Sequence, residues 1–374
     1  MSLAALARKT WRENRLFSVL LELTYRCNLD CVFCYNDRSL RGVALTLDDY
    51  RRLLADLERM GAFQVVLSGG EPLAHPDFFA IGTEARARGF VVRVKSNGHA
   101  LKREVARRLR REVDPFVVEV SLHGATAATH ERQTRVPGSF DTLLVNLELA
   151  QEAGLRLRLN STLTCWNEGE VEAMFALADG LTVPLSFDPD LSIRDDGDRS
   201  PLALAPSPEG LLRLFRVLRE RAEAAGADPG TTAKTGAVRE AARRDALRPA
   251  ADEGLPAPGD GKHCGAGSST VAIDPYGNVY PCVAWRIPSG NLHDASIEEI
   301  WRGSPALAQV RTTTSEIPGR LAAQGGVSEK TGFCPGAAWA QFHDPFEVPP
   351  GVVARKEAVD EAFRAGPLLP VRQP

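Results

Sequence analysis

Thr24-Tyr25-Arg26-Cys27-Asn28-Leu29-Asp30-Cys31-Val32-Phe33-Cys34-Tyr35-Asn36 decides how this chain is read. It follows an apolar run, residues 16–23, that reads as a strand, and it sets three thiols at C-x3-C-x2-C spacing in a turn. Soft thiolates on one short loop suit three irons of a cubane iron-sulfur cluster, whereas closed clusters and structural zinc take four protein ligands. The absent fourth ligand is the informative feature.

From that loop outward, residues 16 to about 225 alternate short β-rich runs with longer amphipathic segments, which is how parallel strands with helical crossovers are encoded. Six strands are expected at 16–23, 63–67, 90–94, 116–121, 155–163 and 184–188, with helices at 47–60, 76–88, 101–111, 139–153, 168–178 and 208–225. Thr46 before the acidic pair Asp48 and Asp49, and Gly61, Gly89 and Gly154 after helical runs, supply start and stop signals. Repeated βα units collect functional groups at the C-terminal ends of the strands, in a barrel or in an open sheet. Three further stretches end strands there: Ser68-Gly69-Gly70-Glu71-Pro72, Ser96-Asn97-Gly98 and Ser121-Leu122-His123-Gly124. Adjacent glycines admit close backbone approach, and Glu71 at the rim is expected to accept hydrogen bonds from an amine. Taken singly, Gly-Gly and Asn-Gly are ordinary turn formers; beside the cysteine loop they read as parts of one site.

The expected domains are an N-terminal arm (1–15), a partial (β/α)6 TIM barrel (16–226), a linker rich in Ala, Arg, Pro and Gly with one helical piece (227–262), and a smaller cysteine-bearing domain (263–374). The last opens on a hairpin whose turn is Asp274-Pro275-Tyr276-Gly277-Asn278. A short helix at 296–302, an irregular stretch at 303–332 and a terminal helix at 352–364 complete it.

Composition bounds the partners. The 374 residues are 44% hydrophobic and 25% charged with a net charge of -3, so a sizeable core is available and no broad field draws nucleic acid or an anionic membrane. No apolar run approaches the roughly 18 residues of a membrane span, and the N-terminus lacks a signal peptide, so a cytoplasmic protein is expected. Seven cysteines in so long a chain favour metal ligation in a reducing compartment over disulfides.

The cysteine loop followed by Ser68-Gly69-Gly70-Glu71-Pro72 resembles the radical S-adenosylmethionine (SAM) enzymes over residues 16–190. That resemblance implies that Cys27, Cys31 and Cys34 hold a 4Fe-4S cluster whose fourth iron is chelated by S-adenosylmethionine. It also implies that Gly69, Gly70, Glu71 and Pro72 line the methionine end, that Phe33 lies beside the adenine, and that Ser96, Asn97 and Ser121 are polar positions around the cofactor. The implied activity is reductive cleavage to a 5′-deoxyadenosyl radical, which abstracts hydrogen from the substrate. The carboxylate partner is open, since Arg132 and Arg135 lie near the expected position and neither matches it. Cys264 and Cys282, spaced around Gly277, with Cys334 in Phe333-Cys334-Pro335-Gly336, resemble the SPASM and twitch domains and imply one auxiliary iron-sulfur cluster with an incomplete ligand set. His263 is a candidate fourth ligand by adjacency, and zinc or no metal is the alternative. Cys165 reads either as a hydrogen donor or as a small buried side chain, and His75, His99 and His123 stand at strand ends.

This domain plan resembles maturases of ribosomally made peptides, so the expected partners are a precursor peptide, a reductase or a flavodoxin or ferredoxin as electron donor, and a separate leader-binding protein. The alternatives are a small-molecule reaction of the haem or molybdopterin pathways, and a metal-binding scaffold without activity.

Overall fold

The computed structural model describes residues 9–224, 261–324 and 333–364. Six parallel strands, β1 (Ser18–Glu22), β2 (Gln64–Ser68), β3 (Val91–Ser96), β4 (Val117–Ser121), β5 (Leu157–Thr162) and β6 (Leu185–Asp188), lie side by side in chain order. Each falls within or one or two residues beyond its expected run. The register carries Leu21 opposite Leu67, Lys95 opposite Glu119, Ser121 opposite Asn160 and Thr162 opposite Asp188.

Side chains alternate across a strand, and here the two faces differ sharply. One set, including Val92, Val94, Val118, Val120, Leu159, Leu185 and Phe187, is 3% exposed or less and packs under the helices. The other set, including Lys95, Glu119, Ser121, Asn160, Ser186 and Asp188, lines a cleft on the concave side. The pattern is that of a partial barrel with a packed outer layer and a polar interior.

The crossovers are α1 (Leu47–Arg59), α2 (Phe78–Ala87), α3 (Arg103–Arg108, continued by a π turn to Val113), α4 (Ala127–Thr134), α5 (Ser139–Glu152), α6 (Val171–Gly180) and α7 (Pro208–Ala224). In α1, Thr46 and Asp49 form a capping box, and Tyr50, Leu53, Leu54 and Leu57 make the buried stripe. Burying each such leucine contributes about 1.5–3 kcal/mol.

The C-terminal region continues the same sheet. β7 (Thr270–Ile273) adds parallel to the free edge of β1, and β8 (Asn278–Tyr280) and β9 (Gly290–Asn291) extend it antiparallel, giving the order β6-β5-β4-β3-β2-β1-β7-β8-β9. The expected hairpin is therefore present, joined to the barrel rather than separate from it. α8 (Ile297–Gly303), α9 (Pro305–Gln324), α10 (Pro335–Phe342) and α11 (Pro350–Arg364) follow, and Arg219 of α7 donates to the Ala362 carbonyl of α11 at 2.6 Å.

Three helices depart from expectation, and of these α10 has no counterpart among the expected elements. α4 is too short and polar for periodicity to mark it. α9 occupies Pro305–Gln324 of the stretch 303–332 expected to be irregular, residues 325–332 lying outside the described residues: Leu307, Val310, Thr314, Ile317 and Leu321 repeat at three- and four-residue steps, and all are 3% exposed or less. Its run of Thr312, Thr313, Thr314 and Ser315 with Pro318 lowers intrinsic helix propensity and hid that stripe. Pro318 has no N–H for the carbonyl four residues back, and the Thr314 carbonyl instead accepts the His263 N–H at 2.8 Å. The expected linker helix lies outside the described residues.

Candidate active site

The cysteine loop leaves β1 and is gripped on several sides. The C-terminal carbonyls of α4, orphaned by helix geometry, take its amides: Asp30 N donates to Thr134 O and Val32 N to Gln133 O, both at 3.0 Å. Gly70 N reaches Thr24 O at 2.6 Å, Glu71 N reaches Arg26 O at 2.9 Å, and Asn36 Nδ2 donates to Gly69 O at 3.2 Å. A Cβ on Gly69, at φ +129°, would stand 2.4 Å from Thr24 O, and one on Gly70 2.5 Å from Arg26 O. The close approach that requires these glycines is thus to the backbone of the cysteine loop itself.

Cys27 accepts from Leu29 N at 3.4 Å and from Asn97 Nδ2 at 3.6 Å, contacts within the longer reach of sulfur acceptors. Burial pushes all three thiols up, Cys31 to about 12 with Cys34 and Cys27 adding to the effect. A metal bonded to sulfur reverses that preference and holds the thiolate. Among the described residues no three His, Cys, Asp or Glu side chains converge closely enough to hold one ion. The three thiols line one cleft, and three soft thiolates on one loop fit a cluster that takes one thiolate per iron and leaves the fourth iron open.

The cleft has a volume of about 330 Å³ and is lined by the three cysteines, Phe33, Gly69, Gly70, Ser96, Asn97 and Ser121. Phe33 meets the His123 ring edge-on at 4.7 Å between centroids. Glu71 and Pro72 do not line it. Glu71 is 2% exposed, and its carboxylate accepts from Asn97 N at 2.8 Å, Ser96 Oγ at 2.9 Å and Leu73 N at 3.1 Å. The rim position expected for this side chain is corrected: buried acceptor geometry, not an open amine site, engages it. Burial raises it from 4.5 to about 7 against those hydrogen bonds.

Sequence reading missed the concave-face charges Lys95, Glu119, Asp188 and Asp190, and Arg38 at the mouth, which pairs with Asp30 at 2.7 Å. For Lys95, Glu119 and Asp188 the signal was a charged residue in a mostly apolar or small-residue strand; Asp190 and Arg38 lie in loops. Neither Arg132, stacked over Trp166 at 3.9 Å, nor Arg135, 3.5 Å from Asp30, lines the cleft. Cys165 is exposed. His75 accepts Asp77 N at 3.1 Å and, like His99, lies off the cleft, whereas His123 lines it.

Cys264, Cys282 and Cys334 come together at the far side of β1. Cys264 and Cys282 pack with Trp339 against a core of Ala266, Trp285 and Val310. Cys334 caps α10, with Ala337 N 3.5 Å from its sulfur. Gly336 permits this: a Cβ there would lie 2.8 Å from Ala284 O. Burial raises all three thiols, Cys264 to about 12; Cys334 adds to the effect on Cys264 and Cys282, and Asp190 and Asp188 add to the effect on Cys334. Three clustered thiols fit an iron-sulfur group with an open ligand position. The His263 Nε2 lies 2.8 Å from the Phe333 carbonyl, a contact that places the hydrogen on Nε2, so that metal ligation by this ring would use Nδ1.

Arg286, four residues beyond Cys282, ties the two regions. Its Nη2 contacts Glu22 Oε1 and Oε2 at 2.8 and 2.9 Å and Asp195 at 3.1 Å. Glu22, at the end of β1, is fully buried and also accepts from Tyr25 at 3.0 Å and Tyr35 at 3.2 Å.

A partial barrel with a three-thiol loop at the strand ends, and a second thiol set docked on its first strand, defines an enzyme built around iron-sulfur chemistry. Residues 21–178 match the family model of the radical SAM superfamily, and residues 264–321 match SPASM, an iron-sulfur cluster-binding domain. The chain is similar to the AdoMet-dependent heme synthase of Methanosarcina barkeri, at 26% identity over 340 residues, covering 89% of this chain and 95% of that protein. It is similar to the mycofactocin maturase MftC of Mycobacterium ulcerans, at 31% identity over 302 residues, covering 79% of this chain and 76% of that protein. Among solved structures, SuiB of Streptococcus suis bound to S-adenosylmethionine matches with a TM-score of 0.65 at 15% identity, over 93% of this chain and 78% of that one. This chain belongs to the radical SAM superfamily and carries a SPASM domain. It is a radical SAM enzyme, its cofactors being a 4Fe-4S cluster, S-adenosylmethionine and auxiliary iron-sulfur. Among the described residues no helix is long and apolar enough to cross a membrane.

Proposed function

We propose that this enzyme is a peptide maturase, acting in the cytoplasm on a ribosomally made precursor by cross-linking, epimerisation or excision. The observation that carries the reading is the 31% identity to a mycofactocin maturase over 79% of this chain. Cys27, Cys31 and Cys34 hold the active cluster; Cys264, Cys282 and Cys334 hold the auxiliary one. The bound cofactors supply a 5′-deoxyadenosyl radical that takes a hydrogen atom from the substrate. The chain's own residues position and shield. The loop offers three thiols and leaves one coordination place open, Asn97 steadies Cys27, and Phe33, Ser121 and the Gly69-Gly70 backbone wall the cofactor. Glu71 acts behind them by fixing Ser96 and Asn97. A reductase or a flavodoxin or ferredoxin supplies electrons, and a separate protein presents the leader.

Reconstituted enzyme incubated with S-adenosylmethionine, dithionite and a deuterated candidate peptide encoded beside the gene is expected to place deuterium in 5′-deoxyadenosine. The similarity to a heme synthase over 95% of that protein favours a second reading, a tetrapyrrole substrate. Deuterium transfer from a labelled porphyrin and none from any peptide would establish that reading instead. Iron analysis of protein lacking Cys27, Cys31 and Cys34 separately tests the auxiliary site: zinc, or no iron, refutes a cluster at Cys264, Cys282 and Cys334.

A further inference from the structure

Beyond the cysteines the cleft opens into a second compartment of about 430 Å³ between the concave ends of β3 to β6. Its walls are charged and polar; of its two aromatic rings, Phe187 is 3% exposed and His123 6%, so they offer little apolar surface. Most charges there are already matched. Arg355 of α11 pairs with Asp190, and Arg93 pairs with the buried Glu119. Asn160 and Ser186 bond to each other at 2.6 Å.

Two groups stand apart. The Lys95 ammonium is half-exposed, and its nearest carboxylate oxygen, on Glu119, is 3.7 Å away, beyond hydrogen-bond range. The Asp188 carboxylate accepts Asp190 N at 3.1 Å, and among the described residues no cation lies within ion-pair distance of it. Burial together with Asp190 raises Asp188 to about 6, with Lys95 and Arg355 acting the other way, and Asp188 acts on Lys95 in turn. Both side chains line the same compartment. Three carboxylates (Glu119, Asp188, Asp190) meet three cations (Arg93, Lys95, Arg355), so the compartment is balanced and has no call for a net charge. What it lacks is a hydrogen-bond acceptor at Lys95 and a donor at Asp188. A carboxamide presents both on one planar group; a hydrophobic side chain would dehydrate both charged groups and supply neither hydrogen bond.

We propose that this compartment is the substrate's specificity subsite and that it takes a carboxamide side chain of the peptide, its C=O on Lys95 and its N–H on Asp188. The inference rests on the peptide reading above and deepens it.

The test uses reconstituted enzyme saturated with S-adenosylmethionine and three blocked tripeptides, N-acetyl-Gly-Xaa-Gly-amide with Xaa as Gln, Glu or Lys, their binding followed by saturation-transfer NMR or calorimetry. The wild type is expected to favour the Gln peptide over both others by roughly tenfold, the scale of one charge-assisted hydrogen bond gained or lost. Removing one charge should reverse the order: Lys95→Met is expected to favour the Lys peptide, and Asp188→Asn the Glu peptide. Equal binding of all three peptides, or an order unchanged by either substitution, overturns the subsite while leaving a peptide substrate in place. If none of the peptides binds although S-adenosylmethionine binding is intact in the same samples, the subsite falls, and deuterium transfer from the encoded peptide or from a labelled porphyrin decides the peptide reading on its own.

Discussion

Glu71 shows how a motif residue can act one layer behind the site. Its carboxylate, buried and raised to about 7, gathers Ser96, Asn97 and Leu73. A folded-state value above the unfolded one of 4.5 means that its contribution is full in acid and is lost as pH rises from about 4.5 through 7. Glu71→Gln is expected to flatten that part of the stability profile, measured by urea unfolding of cluster-free protein across pH 4.5–8; an unchanged slope would show that another group titrates. The thiols, by contrast, were readable from spacing alone, because three soft donors in eight residues admit few uses. Lys95 and Asp188 were not, since their role depends on strands distant in sequence lying in register.

At the scale of elements, period and punctuation carried the six βα units. They failed where a helix is short, as in α4, or where its sequence resists helix formation, as in α9. Yet α4 and α9 hold cysteine loops: α4 through its terminal carbonyls, α9 through the acceptor that Pro318 leaves on Thr314. Replacing an interior helical proline ordinarily relieves about 3 kcal/mol. Pro318→Ala is expected to gain much less, because the new N–H competes with His263 for Thr314, and to lower retention of auxiliary iron, read by iron analysis after gel filtration. A large gain in melting temperature with full iron would refute this role.

Across the whole molecule, the Arg286–Glu22 pair fastens the C-terminal region to the root of the active loop. Removing one partner of a buried pair strands the other, at about 3–5 kcal/mol. Arg286→Met is accordingly expected to destabilise the protein by that much in denaturant unfolding, and adding Glu22→Gln should recover a good part of it; no recovery would mean that Arg286 matters through its stacking on Tyr280, 4.9 Å away. The sequence announced a second cysteine region but not that it would share a sheet with the first, since pairing between β1 and β7 joins residues some 250 apart and leaves no local trace.

That shared sheet governs how the gene can be divided. A fragment ending in the linker after α7 would expose the edge of β1 along Ser18–Leu21, with the hydrogen-bonding groups that β7 otherwise covers, and a bare central edge recruits strands from other chains. Such a truncation is a recipe for inclusion bodies, while the two pieces made in the same cell can complement each other. The boundary visible in composition is a place to nick the chain, not to part it.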